Sequence, residues 1–202
     1  NIMKKTYIII IAVLAILLII GFSIFGWFKN TYNDIVTMEE GVSANWAQVE
    51  NVYQRRADLI PNLVNTVKGY AAHEKETLEG VIEARSKATS VNIDANNLTP
   101  QSFQAFQQAQ EGLSSALSKL MVVVERYPDL KANQNFLELQ AQLEGTENRI
   151  AVERKKFNEA TRNYNTYIKL FPKNFLANMY GFQPKPYFEA QAGAENAPEV
   201  QF

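Results

Sequence analysis

Residues 136–171 read FLELQAQLEGTENRIAVERKKFNEATRNYNTYIKLF. A large apolar residue stands at every seventh position of this stretch: Phe136, Leu143, Ile150, Phe157, Tyr164 and Phe171. A strict repeat of seven indicates a long helix that packs along a neighbouring helix in coiled-coil fashion. The repeat therefore predicts a helix over 129–171, which would be about 64 Å long.

A second long helix is predicted directly before the heptad helix. Thr99 and Pro100 are typical of a helix start, because a threonine side chain caps the first turn and proline fits within it. From Phe103 to Tyr127 the apolar positions step by three and four residues, as on one buried helix face. Pro128 leaves only a short turn before the heptad helix, so the two helices are expected to pack antiparallel.

Two further helices are predicted over residues 30–88. An apolar stripe from Ile35 through Trp46 indicates the first of these helices. A break is expected at Gly69 or His73, and a shorter helix follows it. Residues 89–98 are polar and weakly periodic, which is typical of a loop, and no strand alternation occurs from 30 to 171. The sequence thus predicts an all-α fold with an antiparallel four-helix bundle over 30–171.

The N-terminal part predicts a membrane anchor. Residues 7–28 contain no charge, and 19 of these 22 residues are hydrophobic. Such a helix rises about 33 Å, enough to cross a hydrocarbon core of about 30 Å. The run is longer than the apolar part of a cleaved signal peptide. We therefore expect an uncleaved transmembrane helix over 6–29 that continues into the bundle, with these anchor residues: Tyr7, Ile8, Leu14, Leu18, Phe22, Trp27 and Phe28.

The ends of the chain complete the predicted domain organisation. Residues 1–5 form a short flank, and 172–202 form a C-terminal tail with four prolines and five interspersed aromatic residues. Those aromatic residues either cover the open end of the bundle or anchor the tail at the membrane interface. Lys4 and Lys5 precede the span and only Lys29 directly follows it, so the positive-inside rule predicts a cytoplasmic N-terminus and an extracytoplasmic bundle.

Composition excludes several classes of function. The chain has 20 Lys+Arg against 21 Asp+Glu, one His and no Cys. This balance argues against a nucleic-acid partner, and thiol catalysis, thiolate metal sites and di-iron sites lack their residues. No nucleotide-binding or hydrolase motif occurs, so we expect no catalytic residue, metal or cofactor. After residue 28 the net charge is −3, and we expect no attraction to anionic lipid by charge alone.

Polar residues interrupt the apolar seams of two helices. Beside the heptads, a second seam of the last helix contains Glu147 and Arg154, and the first helix carries Arg55, Arg56 and Asp58 near its apolar stripe. If these helices face each other, the acidic and basic side chains pair, and such buried seams more often fix register than do chemistry. The alternatives are that both sets point to solvent, or that they line a functional groove.

Several strings in the sequence resemble the LemA family. They are WAQVE at 46–50, QRRADLIPNLV at 54–64, VKGYAAHE at 67–74, ERYP at 125–128, LEGTENRI at 143–150 and YN at 164–165. The resemblance covers the chain from the anchor through residue 188. It implies a bacterial single-pass protein of the inner (cytoplasmic) membrane with a helical-bundle domain, and it supplies no catalytic activity. Descriptions of the family have also placed the short N-terminus outside, so the opposite orientation stays open.

Three functions fit this sequence. The first is a non-enzymatic, membrane-tethered scaffold or interaction module that forms homo-oligomers and contacts envelope proteins. The second is an adaptor that holds a membrane protease or signalling protein. The third is an enzyme or small-ligand binder that uses a polar cleft around five side chains: Arg55, Arg56, Asp58, Glu147 and Arg154.

Overall fold

Helices form the regular structure of the described chain. The structure, a computed structural model, describes residues 2–91, 93–95 and 98–189, with side chains from residue 6 onward. No strand occurs in these ranges. The helices are α1 Ile2–Tyr70, α2 Lys75–Ser90, α3 Pro100–Val124, α4 Pro128–Lys131, α5 Gln134–Lys169 and α6 Lys173–Tyr180. The all-α prediction is confirmed.

The chain divides into two compact units. Within the described chain, the N-terminal unit contains residues 2–41 and 162–184, and the bundle unit contains residues 42–161 and 185–189. Helix α1 has no break at Lys29, in agreement with the predicted continuation of the apolar helix.

The bundle unit is built from α1, α2, α3 and α5. Helices α1 and α5 run in opposite directions, since the ring centroids of Trp46 and Phe157 are 5.6 Å apart while Arg55, further along α1, donates to Gln142, earlier on α5. Helix α2 packs along α3. The antiparallel bundle predicted from the heptads and short turns is confirmed.

The heptad residues of α5 fill the interior of this same chain. Phe136, Leu143, Ile150 and Phe157 are buried in the bundle unit, and Tyr164 is buried in the N-terminal unit. Phe171 departs from the pattern, because 79% of its surface is exposed. Since intramolecular packing uses the other repeats, the heptads alone do not require a second chain.

Helix α5 begins five residues later than predicted. A short helix, α4, occupies Pro128–Lys131, and the Asn133 side chain then accepts a hydrogen bond of 3.0 Å from the Phe136 amide. An asparagine that caps a helix in this way sets its first turn. The other predicted start is confirmed: Thr99 and Ser102 form a reciprocal capping box at the head of α3.

The N-terminal unit joins the first part of α1 to the end of α5 and to α6. Helix α6 ends at Gly181, whose φ of 77° lies in the left-handed region that glycine adopts without strain. Tyr180 contacts the rings of Phe28 and Tyr32, at centroid distances of 6.0 and 4.8 Å. Part of the predicted tail, from residue 190 onward, lies outside the described residues.

Candidate functional site

Arg56 is the centre of the polar contacts inside the bundle unit. It is 1% exposed, and its Nη1 donates to Ser114 Oγ at 2.9 Å and to Glu147 Oε1 at 2.8 Å. Its Nη2 donates to the side-chain oxygen of Gln110 at 2.7 Å and to the Gln110 carbonyl at 3.2 Å. One side chain of α1 thereby binds both α3 and α5. We call Arg56, Gln110, Ser114 and Glu147 the Arg56 cluster.

Gln110 extends the Arg56 cluster to a fourth helix. Its Nε2 donates to the Ala88 carbonyl of α2 at 3.2 Å, while its Oε1 accepts from Arg56. A buried amide that uses both its donor and its acceptor in this way is fully constrained in orientation. The cluster therefore connects all four helices of the bundle unit.

The environment of the guanidinium is only partly polar. The Cζ atom of Arg56 lies 5.0 Å from the centroid of the Tyr53 ring, a favourable cation–π distance. Burial raises the pKa of Tyr53, while the positive charges of Arg154 and Arg56 oppose the increase. Glu147 closes the outer side of the cluster, and its side chain is 48% exposed.

The predicted seam residues do not all converge. Arg56 and Glu147 form an ion pair at 2.8 Å, the arrangement of the pairing alternative for these two residues. Arg55 is exposed and donates to Gln142 at 3.2 Å. Asp58 is also exposed and accepts from the Gln54 amide at 2.7 Å.

Arg154 lies one heptad further along α5 than Glu147. Its guanidinium is 4.6 Å from the centroid of the Phe188 ring, and it donates to the Glu189 carbonyl at 2.9 Å. Arg154 thus holds the chain segment 185–189 against the bundle. The five predicted residues therefore have three different roles.

The seven-residue periodicity of α1 identifies Arg56 as a core position. Val42, Val49 and Leu63 are buried on α1, and Arg56 occupies the missing position of this seven-residue series. Gln110 similarly continues the buried stripe of α3 between Phe103 and Leu117. A polar residue at a core heptad position is the signal that identifies both. Ser114 lies just off the stripe, and its spacing carries no such signal.

The geometry of the Arg56 cluster suits a structural ion pair. A cavity of about 40 Å³ adjoins Arg56, whereas pockets for metabolites measure about 300–1,000 Å³. Within the described chain, the Nη1 and Nη2 donors of Arg56 already have acceptors from the protein, and its buried Nε has no hydrogen-bond partner. Within the described residues, no group of three or more His, Asp or Glu side chains is placed to hold a metal ion.

A groove lies between α2 and α3 on the surface of the bundle unit. Its volume is about 840 Å³, and glutamate and lysine side chains line it. Glu83 pairs with Lys87 at 2.8 Å, and Glu79 lies 3.7 Å from Lys75. These pairs at i,i+4 are typical of a solvated helix face, so the groove offers no concentrated charge to a ligand.

The predicted anchor residues lie on the first part of α1. Tyr7, Ile8, Leu14, Leu18, Phe22 and Trp27 are exposed, and Phe28 is half-buried against Tyr180. Helix α1 is the one candidate membrane span among the described helices, by length and composition.

Comparison with known proteins places this architecture in a family. The LemA family profile matches residues 45–202, well over half of the chain. The chain belongs to the LemA family. This LemA-family chain is 29% identical over 181 residues to magnetosome protein MamQ 2 of Paramagnetospirillum magneticum, a match that covers 81% of the chain and 66% of that relative.

Two further relatives extend the comparison. Magnetosome protein MamQ of Magnetospirillum gryphiswaldense is 29% identical over 180 residues, covering 80% of the chain and 66% of that protein. Protein LemA of Metamycoplasma hominis is 22% identical over 158 residues, covering 78% of the chain and 68% of that protein. The LemA-family chain thus spans slightly under two thirds of the length of these magnetosome relatives.

Proposed function

We propose that this chain is a single-pass protein of the bacterial inner membrane whose helical bundle is a non-enzymatic scaffold or interaction module of the envelope. The proposal depends mainly on one contrast. The apolar start of α1 has no buried residue in its most apolar window, whereas the ion pair of the bundle unit is used by internal contacts. The described part of the chain therefore presents an apolar helix and an exposed bundle surface for contacts.

The exposure of α1 supports the membrane assignment. The large apolar side chains between Tyr7 and Phe25 are 48–76% exposed. Contact with water is unfavourable by about 25 cal/mol for each Å² of apolar surface, so a helix with apolar side chains all round needs lipid or protein around it. The bundle unit is assigned to the extracytoplasmic side from Lys4, Lys5 and Lys29.

The proposed interaction role is supported by the names of two relatives and by the continuity of helix α1. Two of the proteins described above are named as magnetosome proteins, that is, by a cell structure. Helix α1 runs without a break from Ile2 to Tyr70, so contacts between spans of two copies would involve a continuous helix. We propose that copies self-associate in this way, and that an adaptor role differs only in the identity of the partner.

Charge substitutions in the span test the anchor. A charged residue at the centre of a transmembrane helix costs about 2.5–3.5 kcal/mol, so Leu14→Arg combined with Leu18→Arg should release the chain from alkali-washed membranes. The matched control is Val152→Arg, since Val152 is 50% exposed on α5 of the bundle unit. Equal membrane retention of both variants would contradict the anchor.

Particle size tests the self-association. The full chain in mild detergent should elute as an oligomer by light scattering, and amine cross-linking in native membranes should capture the same species. A strictly monomeric particle under both conditions would overturn self-association and leave the anchored module. A small metabolite that raised the melting temperature of the chain, but not that of Arg56→Ala, would overturn the role as an interaction module alone and favour a small-ligand binder.

A further inference from the structure

A patch of exposed apolar side chains lies on the N-terminal unit around α6. Between 50% and 79% of each member is exposed, and two of its rings, Phe171 and Phe175, contact each other at 5.8 Å. Phe175 and Met179 are one turn apart on α6, and Phe171, which precedes the helix, joins them through its ring contact with Phe175. We call this surface the α6 patch, and it consists of Leu170, Phe171, Phe175, Met179 and Tyr180.

The opposite side of α6 fixes the patch in place. Leu176 and Ala177 are each 2% exposed and pack into the N-terminal unit. After the helix, the Tyr164 hydroxyl donates to the Gln183 carbonyl at 3.1 Å, which holds the chain that follows Gly181. The α6 patch is therefore presented outward by a helix with a buried face, as in an amphipathic surface helix.

The α6 patch lies beside the end of the candidate span. Tyr180, at one edge of the patch, contacts Phe28 and Tyr32 of α1. Phe28 is the last residue of the uncharged apolar run, and Trp27 before it is 40% exposed. Aromatic residues at this point of a span lie at the level of the lipid headgroups. The patch is thus continuous with the surface of α1 where the helix leaves the hydrocarbon.

The charge around the α6 patch differs from that of the whole chain. Residues 160–188 contain four basic residues and no acidic residue, although the complete chain has a net charge of −1. Lys169 and Lys173 flank the patch, and Lys173 Nζ lies 3.5 Å from the centroid of the Tyr167 ring. Lysine beside exposed aromatic and aliphatic side chains is the composition of interfacial membrane helices.

We propose that the α6 patch is a second membrane contact, which lies in the headgroup region of the bilayer that α1 enters. Its apolar side chains reach the boundary of the acyl chains, and Lys169 and Lys173 meet anionic headgroups. The inference rests on the proposed anchoring by α1. It also changes the expectation drawn from the net charge of −3 after residue 28, because the segment that carries the patch is locally basic.

Labelled single-cysteine variants test this contact in the full chain. The chain has no cysteine, so each substitution gives one labelling site. We choose Phe175→Cys in the patch, Phe22→Cys in the span and Val122→Cys as the matched control, since Val122 is 71% exposed on α3 of the bundle unit. Each variant carries an environment-sensitive fluorophore and is reconstituted at one chain per nanodisc, with and without nitroxide-labelled phospholipid.

The expected pattern separates this inference from the anchor. Interfacial helices insert about 5–10 Å, so shallow nitroxides should remove about half of the fluorescence at Phe175→Cys and almost none at Val122→Cys. Deep nitroxides should quench the label at Phe22→Cys. If the Phe22 label is quenched and the Phe175 label behaves like the Val122 label, the second contact is wrong and the anchor stands. An unquenched Phe22 label contradicts the anchor itself.

Aqueous iodide distinguishes lipid from protein as the cover of the patch. A Phe175 label that is shielded from both iodide and lipid nitroxides would indicate burial by protein and would overturn the proposal. The charge contribution is tested by Lys169→Gln combined with Lys173→Gln. This double variant should lower the quenching of the Phe175 label in anionic nanodiscs and leave it unchanged in neutral ones. If the double variant does not lower the quenching in anionic nanodiscs, the headgroup role of the lysines is refuted.

Discussion

Glu147→Ala should destabilise the bundle because it leaves the buried Arg56 cation without its carboxylate. Removing one partner of a buried ion pair costs about 3–5 kcal/mol. The Glu147 side chain is 48% exposed, so water solvates part of the remaining charge, and we expect about 2–3 kcal/mol here. In a chain of this size that loss lowers the melting temperature by about 4–12 °C.

The assay is thermal melting of the full chain in mild detergent, followed by near-UV circular dichroism. Glu144→Ala is the matched control, because Glu144 lies one turn earlier on α5, is exposed and accepts a hydrogen bond from the Gln140 side chain. We expect it to change stability by less than about 0.5 kcal/mol. Equal melting temperatures for the two variants would refute the argument that Arg56 depends on Glu147.

A double-mutant cycle assigns the effect to the pair. In an Arg56→Met background, Glu147→Ala has no buried cation to leave unpaired, so its effect should fall to the level of Glu144→Ala. Glu147→Gln keeps an acceptor for Nη1 and removes only the charge, and it should lie between the wild type and Glu147→Ala. An undiminished effect of Glu147→Ala in the Arg56→Met background would mean that the loss does not arise from this contact.

Three further predictions concern the rest of the fold. Trp46→Ala should cost about 3–5 kcal/mol in thermal melting, since Trp46 is fully buried among four aromatic rings, and a loss no larger than that of Trp27→Ala would contradict this. Thr99→Ala removes the capping box of α3 and should lower stability by about 1 kcal/mol, or about 2–4 °C, in the same assay. Burial and the hydrogen bond to Asp34 raise the pKa of Tyr167 from 10.0 to about 12, so the stability linked to this group is complete below pH 10 and is lost as the pH rises towards 12. Asp34→Asn should shift the titration of Tyr167, followed by tyrosinate absorbance, to lower pH, and an unchanged midpoint would refute the contribution of Asp34.

The parts of the fold that repeat along the chain could be predicted from the sequence. The heptads of α5 and the stripe of α3 fix which faces are buried, because a helix returns each face to the core at regular intervals. Thr99 marks the start of α3 by its own chemistry. The burial of Arg56 could also be predicted, since its position in the series Val42, Val49 and Leu63 places it inside the bundle.

The segment after α6 could not be predicted in this way. Phe188 is 5% exposed although it lies in an extended stretch, where no periodicity distinguishes buried from exposed positions. The position of Phe188 is set by the Asn158 side chain. Its Nδ2 donates to the Phe188 carbonyl at 2.9 Å, and its Oδ1 accepts from the Phe188 backbone N–H at 2.8 Å. Such contacts, between residues 30 apart, depend on tertiary structure and leave no local pattern.

The burial of Phe188 has a consequence for how the chain is made. Its ring lies 6.0 Å from that of Trp46, 4.6 Å from Phe103 and 5.5 Å from Phe157, so a residue synthesised late completes a cluster that begins in α1. At about 5–20 residues per second, roughly 7–28 s pass between the synthesis of Trp46 and that of Phe188. Throughout this interval the apolar run of α1 has already been translated while the aromatic cluster remains open on one side. Membrane insertion can therefore precede completion of the bundle, and the nascent chain has a period in which Trp46 is accessible to chaperones.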